Sequence, residues 1–79
     1  MARVLLFGRL SDVAGWRERQ VDSPFLSALR AKLSDEDATL GEALAGRGVQ
    51  VALDQVIVRG DAPLNAGTEV AFLPPMSGG

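Results

Sequence analysis

The sequence predicts an α+β fold in which a mixed sheet, arranged ββαββ, carries one main helix on one face. Strongly apolar patterns that are typical of buried strands occur near both ends of the chain, over residues 3–10 and Glu69–Leu73. Between them, leucines at three- and four-residue spacing within residues 25–33 indicate an amphipathic helix. Strands that are apolar on both faces belong in the middle of a sheet, so we expect the first and last strands to pair in parallel.

The first strand is predicted over residues 3–10 and leads into a helical turn or loop at residues 10–15, closed by Gly15. Trp16 stands at this corner, and we expect its side chain to be half-buried as a lid on the core. Residues 17–21 are polar and only modestly strand-like, which suits an exposed strand paired with the first.

A helix start is indicated by Ser23 as the N-cap and Pro24 at the first helical position. The buried stripe of this helix is predicted to consist of Phe25, Leu26, Leu29 and Leu33. The acidic residues 34–37 are predicted to form a solvated loop, because no further ligand pattern elsewhere in the chain supports a metal site.

A second, short helix is predicted by the capping-box pattern at residues 39–42, with Thr39 at the cap and an end at Leu44 or Ala45. The glycines of residues 46–48 then indicate a turn, since two glycines are too few for a phosphate loop.

The last part of the chain is predicted to add strands at residues 49–53 and Val56–Val58, reversed at Asp54-Gln55, before the final strand. With these elements the predicted architecture is the β-grasp, or ubiquitin-like, fold. We expect a β-grasp domain over residues 1–73 and a flexible tail over residues 74–79.

The composition excludes several classes of function. The chain has 79 residues, a net charge of −2 and no basic patch, so nothing marks a nucleic-acid-binding protein. It contains no Cys, His or Tyr, which removes the thiolate nucleophile, the commonest general base and the commonest metal ligand and leaves Asp, Glu, Ser and Arg for any catalysis. We therefore expect no bound cofactor, no metal and no independent catalytic activity. No apolar run has the length of a membrane span, and we expect a cytoplasmic protein.

The tail is the most informative stretch of the sequence. Pro74 and Pro75 follow the last strand directly and are expected to end sheet pairing and to direct the chain away from the body. Gly78 and Gly79 have no side chain and can pass through a narrow channel. The pattern predicts a carboxylate at the end of a narrow, flexible segment. A chance Gly-Gly or a cloning remnant is the alternative at this point.

The sequence resembles the small subunits of molybdopterin synthase over essentially its whole length. The resemblance rests on the following stretches: residues 4–8, 13–15, 52–55, 63–70 and 72–79. The most specific of these is the final run Phe-Leu-Pro-Pro-Met-Ser-Gly-Gly. The sequence departs from the family pattern at Asp54, where Asn is frequent, and at Leu73, where Phe is common.

This resemblance implies a sulfur carrier that works with other proteins. In that family an adenylyltransferase similar to ubiquitin-activating enzymes uses ATP to adenylate the terminal glycine, here Gly79, and a sulfur-donating protein then supplies the sulfur of a thiocarboxylate. The large subunit of molybdopterin synthase, with which the carrier forms a heterotetramer, uses this sulfur on cyclic pyranopterin monophosphate. The resemblance implies that Gly79 is the reactive residue and that five tail residues thread into the partner: Pro74, Pro75, Met76, Ser77 and Gly78.

The docking surface and the pathway stay open at this stage. We expect Phe72 to lie in the core and Leu73, with Met76, to contact the partner; the alternative is that Leu73 fills a core edge. Other candidate functions are a sulfur carrier for thiamin thiazole, cysteine or tRNA thiolation, and a ubiquitin-like modifier of lysines. An interaction module with an idle tail is a further alternative.

Overall fold

The computed structural model describes residues 1–75, and within that range the chain forms five strands and three helices. In chain order they are β1 (Ala2–Leu6), α1 (Arg9–Ala14), β2 (Glu18–Val21), α2 (Leu26–Glu36), α3 (Ala38–Leu44), β3 (Gln50–Leu53), β4 (Val56–Val58) and β5 (Glu69–Leu73). The spatial order of the strands is β2-β1-β5-β3-β4. β1 and β5 are parallel neighbours, and the other neighbouring pairs are antiparallel. The predicted mixed sheet, with its parallel first and last strands, is confirmed.

The core lies between the sheet and the helices. Val4, Leu6, Val70 and Phe72 point to this side, and Phe72 is fully buried, as predicted. The helices contribute a set of buried leucines: Leu10, Leu26, Leu29, Leu33, Leu40 and Leu44. Arg3 is exposed on the other face, so the prediction that the first strand is buried on both faces was wrong. The central strand β5 is the one that fits that description.

The first strand is shorter than predicted. It ends at Leu6, and residues 9 and 10 belong to α1 instead. Gly8, at a φ of 55°, breaks the strand, and its carbonyl accepts hydrogen bonds from the backbone N–H and the hydroxyl of Ser11. The helical turn closes at Gly15, whose φ is 83°, as expected. Trp16 is half-buried against the core, which confirms that prediction.

The start of the main helix corrects two predictions. Helix α2 begins at Leu26, so Pro24 is not its first residue, and Ser23 makes no capping bond to it. The cap comes from a distant loop, because the Asp61 carboxylate accepts hydrogen bonds of 2.8 Å from both the backbone N–H and the hydroxyl of Ser27. Phe25 precedes the helix in extended conformation and is 49% exposed, so it does not belong to the core stripe.

The acidic segment is helical rather than a loop. Residues 34–36 form the end of α2, and Asp37 is the N-cap of α3, accepting a hydrogen bond from the N–H of Leu40. Thr39 is therefore not the cap, although the predicted end of this helix at Leu44 is correct. α2 and α3 pack so closely that a Cβ on Gly41 would overlap Ser34.

The reversal between β3 and β4 falls at Asp54-Gln55, as predicted. Both residues have positive φ, 48° and 71°, which is the geometry of a tight hairpin turn. The turn is tied to the central strand because Asp54 and Glu69 exchange two hydrogen bonds of 2.9 Å, one of them to the Asp54 carboxylate.

Candidate functional site

The candidate site is the edge of the sheet where the chain leaves β5. Because β1 runs parallel to β5, β1 also ends at this edge; because β3 is antiparallel, β3 begins there. Leu6 is paired with Phe72, and Gln50 is paired with Leu73. The last sheet contact is a hydrogen bond of 3.2 Å from the Phe7 N–H to the Phe72 carbonyl. The topology therefore brings two loops to the point at which the tail begins.

The proline pair ends the strand as predicted. β5 stops at Leu73, and Pro74 has no N–H with which to continue the ladder. Pro74 is half-buried and Pro75 is exposed. Gly8 from the β1–α1 loop lies against Pro74, and Gly48 from the α3–β3 loop lies against Pro75. These four residues, Gly8, Gly48, Pro74 and Pro75, are called the exit edge below.

The remaining predicted site residues are Met76, Ser77, Gly78 and Gly79, and they lie outside the described residues. The division into a domain over residues 1–73 and a flexible tail over residues 74–79 therefore stays a prediction, as do the partner contact of Met76 and the reactive role of Gly79. The structure does show where the tail starts: at the centre of one edge of the sheet.

Leu73 lies on the sheet face that points away from the helices. This open face also carries Leu5 and Ala71, which are paired neighbours in β1 and β5. Leu73 and Leu5 are half-buried, whereas Phe7 and Ile57 are each 45% exposed. An apolar surface thus extends across the open face up to the exit edge. Leu73 lies at the boundary between the open face and the exit edge. This position is compatible with the predicted partner contact of Leu73.

The charged groups of the open face are paired with one another. The Arg3 guanidinium lies 3.0 Å from the Glu69 carboxylate and 3.7 Å from that of Glu18, so one arginine bridges β1, β5 and β2. Arg17 and Ser11 lie beside Phe7 and line a shallow groove that reaches Gly8. The surface next to the tail is therefore apolar in its centre and polar at its rim, as in many protein interfaces.

Residues 1–75 include no cluster of three or more His, Cys, Asp or Glu side chains arranged to hold a metal ion. Within the same residues, no helix is long and apolar enough to cross a membrane. Hydrogen bonds from the Ser27 N–H and hydroxyl lower the pKa of Asp61, and this carboxylate serves helix α2 rather than the tail.

Comparison with known proteins agrees with this geometry. The model of the ThiS family matches residues 4–79. The chain belongs to the ThiS family. This ThiS-family protein is 35% identical over 81 residues to the molybdopterin synthase sulfur carrier subunit of Escherichia coli (strain K12), and the similarity covers 100% of each chain. The resemblance found in the sequence is confirmed, and the protein is a sulfur carrier of the ThiS type.

Solved structures confirm the ubiquitin-like β-grasp fold of this ThiS-family protein. The crystal structure of SAMP1 from Haloferax volcanii superposes with a TM-score of 0.80 at 25% identity, covering 99% of this chain and 98% of that one. The solution structure of small archaeal modifier protein 1 from Methanosarcina acetivorans gives a TM-score of 0.86 at 20% identity, covering 99% and 95%.

Sequence reasoning missed two residues of the site in this ThiS-family protein. Gly48 was assigned only to a turn, and Gly8 to the first strand, yet both touch the prolines. The one feature of the sequence that could have indicated these contacts is the position of each glycine, in a loop next to the end of a strand. The contact itself depends on strand order, which no local pattern of residues specifies.

Proposed function

We propose that this protein is the sulfur carrier subunit of a molybdopterin synthase, with the large subunit of that enzyme as its partner. The observation that carries the proposal is the full-length similarity to the Escherichia coli subunit of that name. The Leu-Pro-Pro-x-x-Gly-Gly run at residues 73–79 supports it, because carriers for other pathways share the Gly-Gly ending but generally lack this run. The chain contains no Cys and no His, and the proposed chemistry needs no base or thiol from it, because each partner supplies its own catalytic groups.

In the proposed reaction Gly79 is activated first. A carboxylate oxygen attacks the α-phosphorus of ATP in an adenylyltransferase related to ubiquitin-activating enzymes, and pyrophosphate leaves. The acyl-adenylate now has a good leaving group, which the carboxylate lacks. Hydrosulfide delivered by a donor protein attacks the carbonyl carbon, AMP leaves with the oxygen that it acquired, one proton is released, and Gly79 becomes a thiocarboxylate. We propose that these steps take place in the cytoplasm, where ATP is available.

The second half of the proposed cycle transfers the sulfur. The tail enters the large subunit, and the thiocarboxylate sulfur attacks a carbon of cyclic pyranopterin monophosphate. Water then cleaves the bond between this sulfur and the Gly79 carbonyl carbon, which returns Gly79 to a carboxylate, and two such transfers supply the two sulfurs of the dithiolene. The protein's contribution is to hold a reactive group at the end of a narrow segment, which replaces an encounter in solution by a positioned one. Gly78 and Gly79 are proposed to thread through the channel, where a side chain would obstruct passage.

We propose that the open face is the docking surface for these partners. Its apolar centre, formed by Leu5, Phe7, Ile57 and Leu73, lies next to the exit edge, so a partner that covers it would receive the tail directly. Apolar surface of this kind supplies most of the binding energy in protein interfaces when it is fully covered. The paired charges of Arg3, Glu18 and Glu69 would lie at the rim.

A second candidate function is protein modification. Both structural neighbours described above are small archaeal modifier proteins, and the fold alone does not separate a sulfur carrier from a modifier. A modifier would join its terminal carboxyl group to a lysine of another protein. Lys32 is the one lysine of this chain, which disfavours chains of the protein linked to itself.

The test is an intact-mass measurement on the protein with its native terminus. It is incubated with ATP, an adenylyltransferase of the ubiquitin-activating type and a sulfur source, beside a variant that lacks Gly79. A mass increase equal to the replacement of one oxygen by sulfur, absent in the variant, is the expected result. An unchanged mass with several activating enzymes would exclude the carrier function, and an adduct on a lysine of another protein would favour the modifier.

A further inference from the structure

The exit edge holds the start of the tail more closely than a flexible leash requires. Gly8 and Gly48 belong to two different loops, and each approaches one of the two consecutive prolines. An ideal Cβ placed on Gly8 would lie 3.0 Å from Pro74 Cγ, and one placed on Gly48 would lie 2.8 Å from Pro75 Cβ. Ordinary carbon contacts are about 3.5–4.0 Å, so neither position has room for a side chain beside its proline.

Other glycines of the chain show that this approach is not a general property of its turns. Gly15, Gly60 and Gly67 also have positive φ, at 83°, 82° and 87°. A Cβ added to any of them would meet no atom of residues 1–75 within 4 Å. At these three positions glycine is required only by the backbone conformation. At Gly8 and Gly48 it is required both by the backbone conformation and by the close contact with a proline.

We propose that Gly8 and Gly48 form a cradle that fixes the direction in which Pro74 and Pro75 leave the sheet. In this arrangement Pro74 and Pro75 belong to the rigid body of the domain. The four residues are positioning residues for sulfur loading and delivery. This inference rests on the proposed function, because it concerns how the Gly79 carboxyl group reaches a partner's active site.

The physical reason is the geometry of a short segment. A fully extended stretch of four residues reaches about 14 Å, so a change of about 30° in its starting direction displaces its end by about 7 Å. Proline fixes its own φ, but it does not fix the orientation of the pair relative to the sheet. Contacts on two sides of the pair supply that orientation. A pre-directed tail loses less conformational freedom on entering a partner, which favours productive binding.

The test compares glycine variants that differ only in the proline contact. Gly8→Ala and Gly48→Ala place a methyl group at positive φ and against a proline; Gly15→Ala and Gly67→Ala place one at positive φ in open space. The rate of thiocarboxylate formation at limiting protein concentration is measured by intact mass, well below each variant's melting temperature. We expect the cradle variants to lose about threefold or more in kcat/KM and the control variants to stay within about twofold.

A second readout does not depend on activity. Met76 carries the first backbone N–H after the prolines, and its amide resonance reports the direction of the exit. We expect this resonance to shift in Gly8→Ala and Gly48→Ala and to keep its position in Gly15→Ala and Gly67→Ala. Combining Gly48→Ala with Pro75→Gly removes the proline Cβ that would be struck, so the double variant should lose less than the product of the two single losses.

The outcomes separate this inference from the proposed function. If the unaltered protein forms the thiocarboxylate and the cradle variants behave like the controls in both readouts, the cradle is wrong and the sulfur carrier stands. If the unaltered protein forms none, the proposed function fails, and the Met76 resonance alone decides whether the prolines are held. Multiplicative losses in the double variant would likewise overturn the cradle.

Discussion

The two ends of the central strand β5 are held by different means. At its start, the loop of residues 59–68, called the entry loop here, is fixed by hydrogen bonds: the Gly67 N–H donates to the Met1 carbonyl, and the Arg3 N–H donates to the Thr68 carbonyl at 2.8 Å. The buried Thr68 hydroxyl accepts from the Asn65 N–H. At its end, the exit edge holds two prolines by close packing against two glycines.

This difference suggests separate roles for the two ends of β5: the entry loop stabilises the fold, and the exit edge sets the direction in which the tail leaves the sheet. Hydrogen bonds at the entry loop join the ends of three elements, since Asp61 also caps α2, so changes there should affect folding more than function. The proline pair lacks N–H groups, so packing rather than backbone donation controls its orientation. We therefore expect changes at the exit edge and the tail to slow sulfur transfer even under conditions in which the domain is fully folded, whereas changes at the entry loop should affect stability alone.

The largest expected effect lies beyond the exit edge. Removing Gly79 should reduce thiocarboxylate formation to an undetectable level, because the residue that bears the proposed reactive carboxyl group is gone. Its melting temperature should match that of the unaltered protein. Thiocarboxylate formation is measured by intact mass after incubation with ATP, activating enzyme and a sulfur source. The melting temperature is measured by thermal unfolding followed by circular dichroism. Full thiocarboxylate formation on the shortened protein would contradict the assignment.

The second effect concerns the open face next to the exit edge. Leu73→Ser should weaken binding to the large subunit about tenfold, because a half-buried apolar contact at the centre of the proposed interface is replaced by a hydroxyl. Val56→Ser is the matched control, since Val56 is 65% exposed and is paired with Leu53, on the helix side of the sheet. Titration calorimetry compares the two. Equal affinities would show that the open face is not the docking surface.

The third effect lies at the entry loop. Gly67→Ala should destabilise the domain by about 1 kcal/mol, because alanine is strained at a φ of 87°. Thiocarboxylate formation below the melting transition should be unchanged. Denaturant unfolding gives the free energy of unfolding, and the mass assay gives the rate. A large loss of rate without loss of stability would mean that the two ends of β5 do not differ in the way described.

The smallest effect is a pH dependence of stability. The hydrogen bonds from Ser27 lower the Asp61 pKa below its ordinary value of 3.8, so the folded state favours the carboxylate. The carboxylate therefore stabilises the fold above the unfolded-state pKa, and this contribution is lost as pH falls through the folded-state pKa. Asp61→Asn should lower the melting temperature at pH 7 and 5, with a difference that shrinks below about pH 4. A constant difference down to pH 2 would refute this.

Local patterns in the sequence predicted the elements that local interactions determine. The hairpin turn at Asp54-Gln55, the αL end of α1 at Gly15 and the stop at Pro74 each follow from conformational preferences of the residues themselves. The parallel pairing of β1 and β5 was also predicted correctly from the apolar patterns at both ends of the chain, although one face of β1 is exposed at Arg3.

The predictions were wrong where contacts between residues far apart in the sequence determine the structure. Ser23 was assigned the cap of α2, but Asp61, far along the chain, supplies it, and Phe25 consequently lies outside the helix. The strand predicted to reach residue 10 ends at Leu6, because a continuous apolar run is compatible with both a strand and a buried helical turn. Gly8 and Gly48 acquire their role only from the strand order that brings their loops to β5.

The most direct test of the central claim is a single turnover with sulfur already loaded. The protein carrying a Gly79 thiocarboxylate is mixed with the large subunit and cyclic pyranopterin monophosphate, and the carrier's mass and the pterin product are followed together. We predict that the carrier returns to the mass of the carboxylate as the dithiolene product appears. A thiocarboxylate that persists beside unconverted substrate, with an active large subunit, would contradict the molybdopterin synthase assignment.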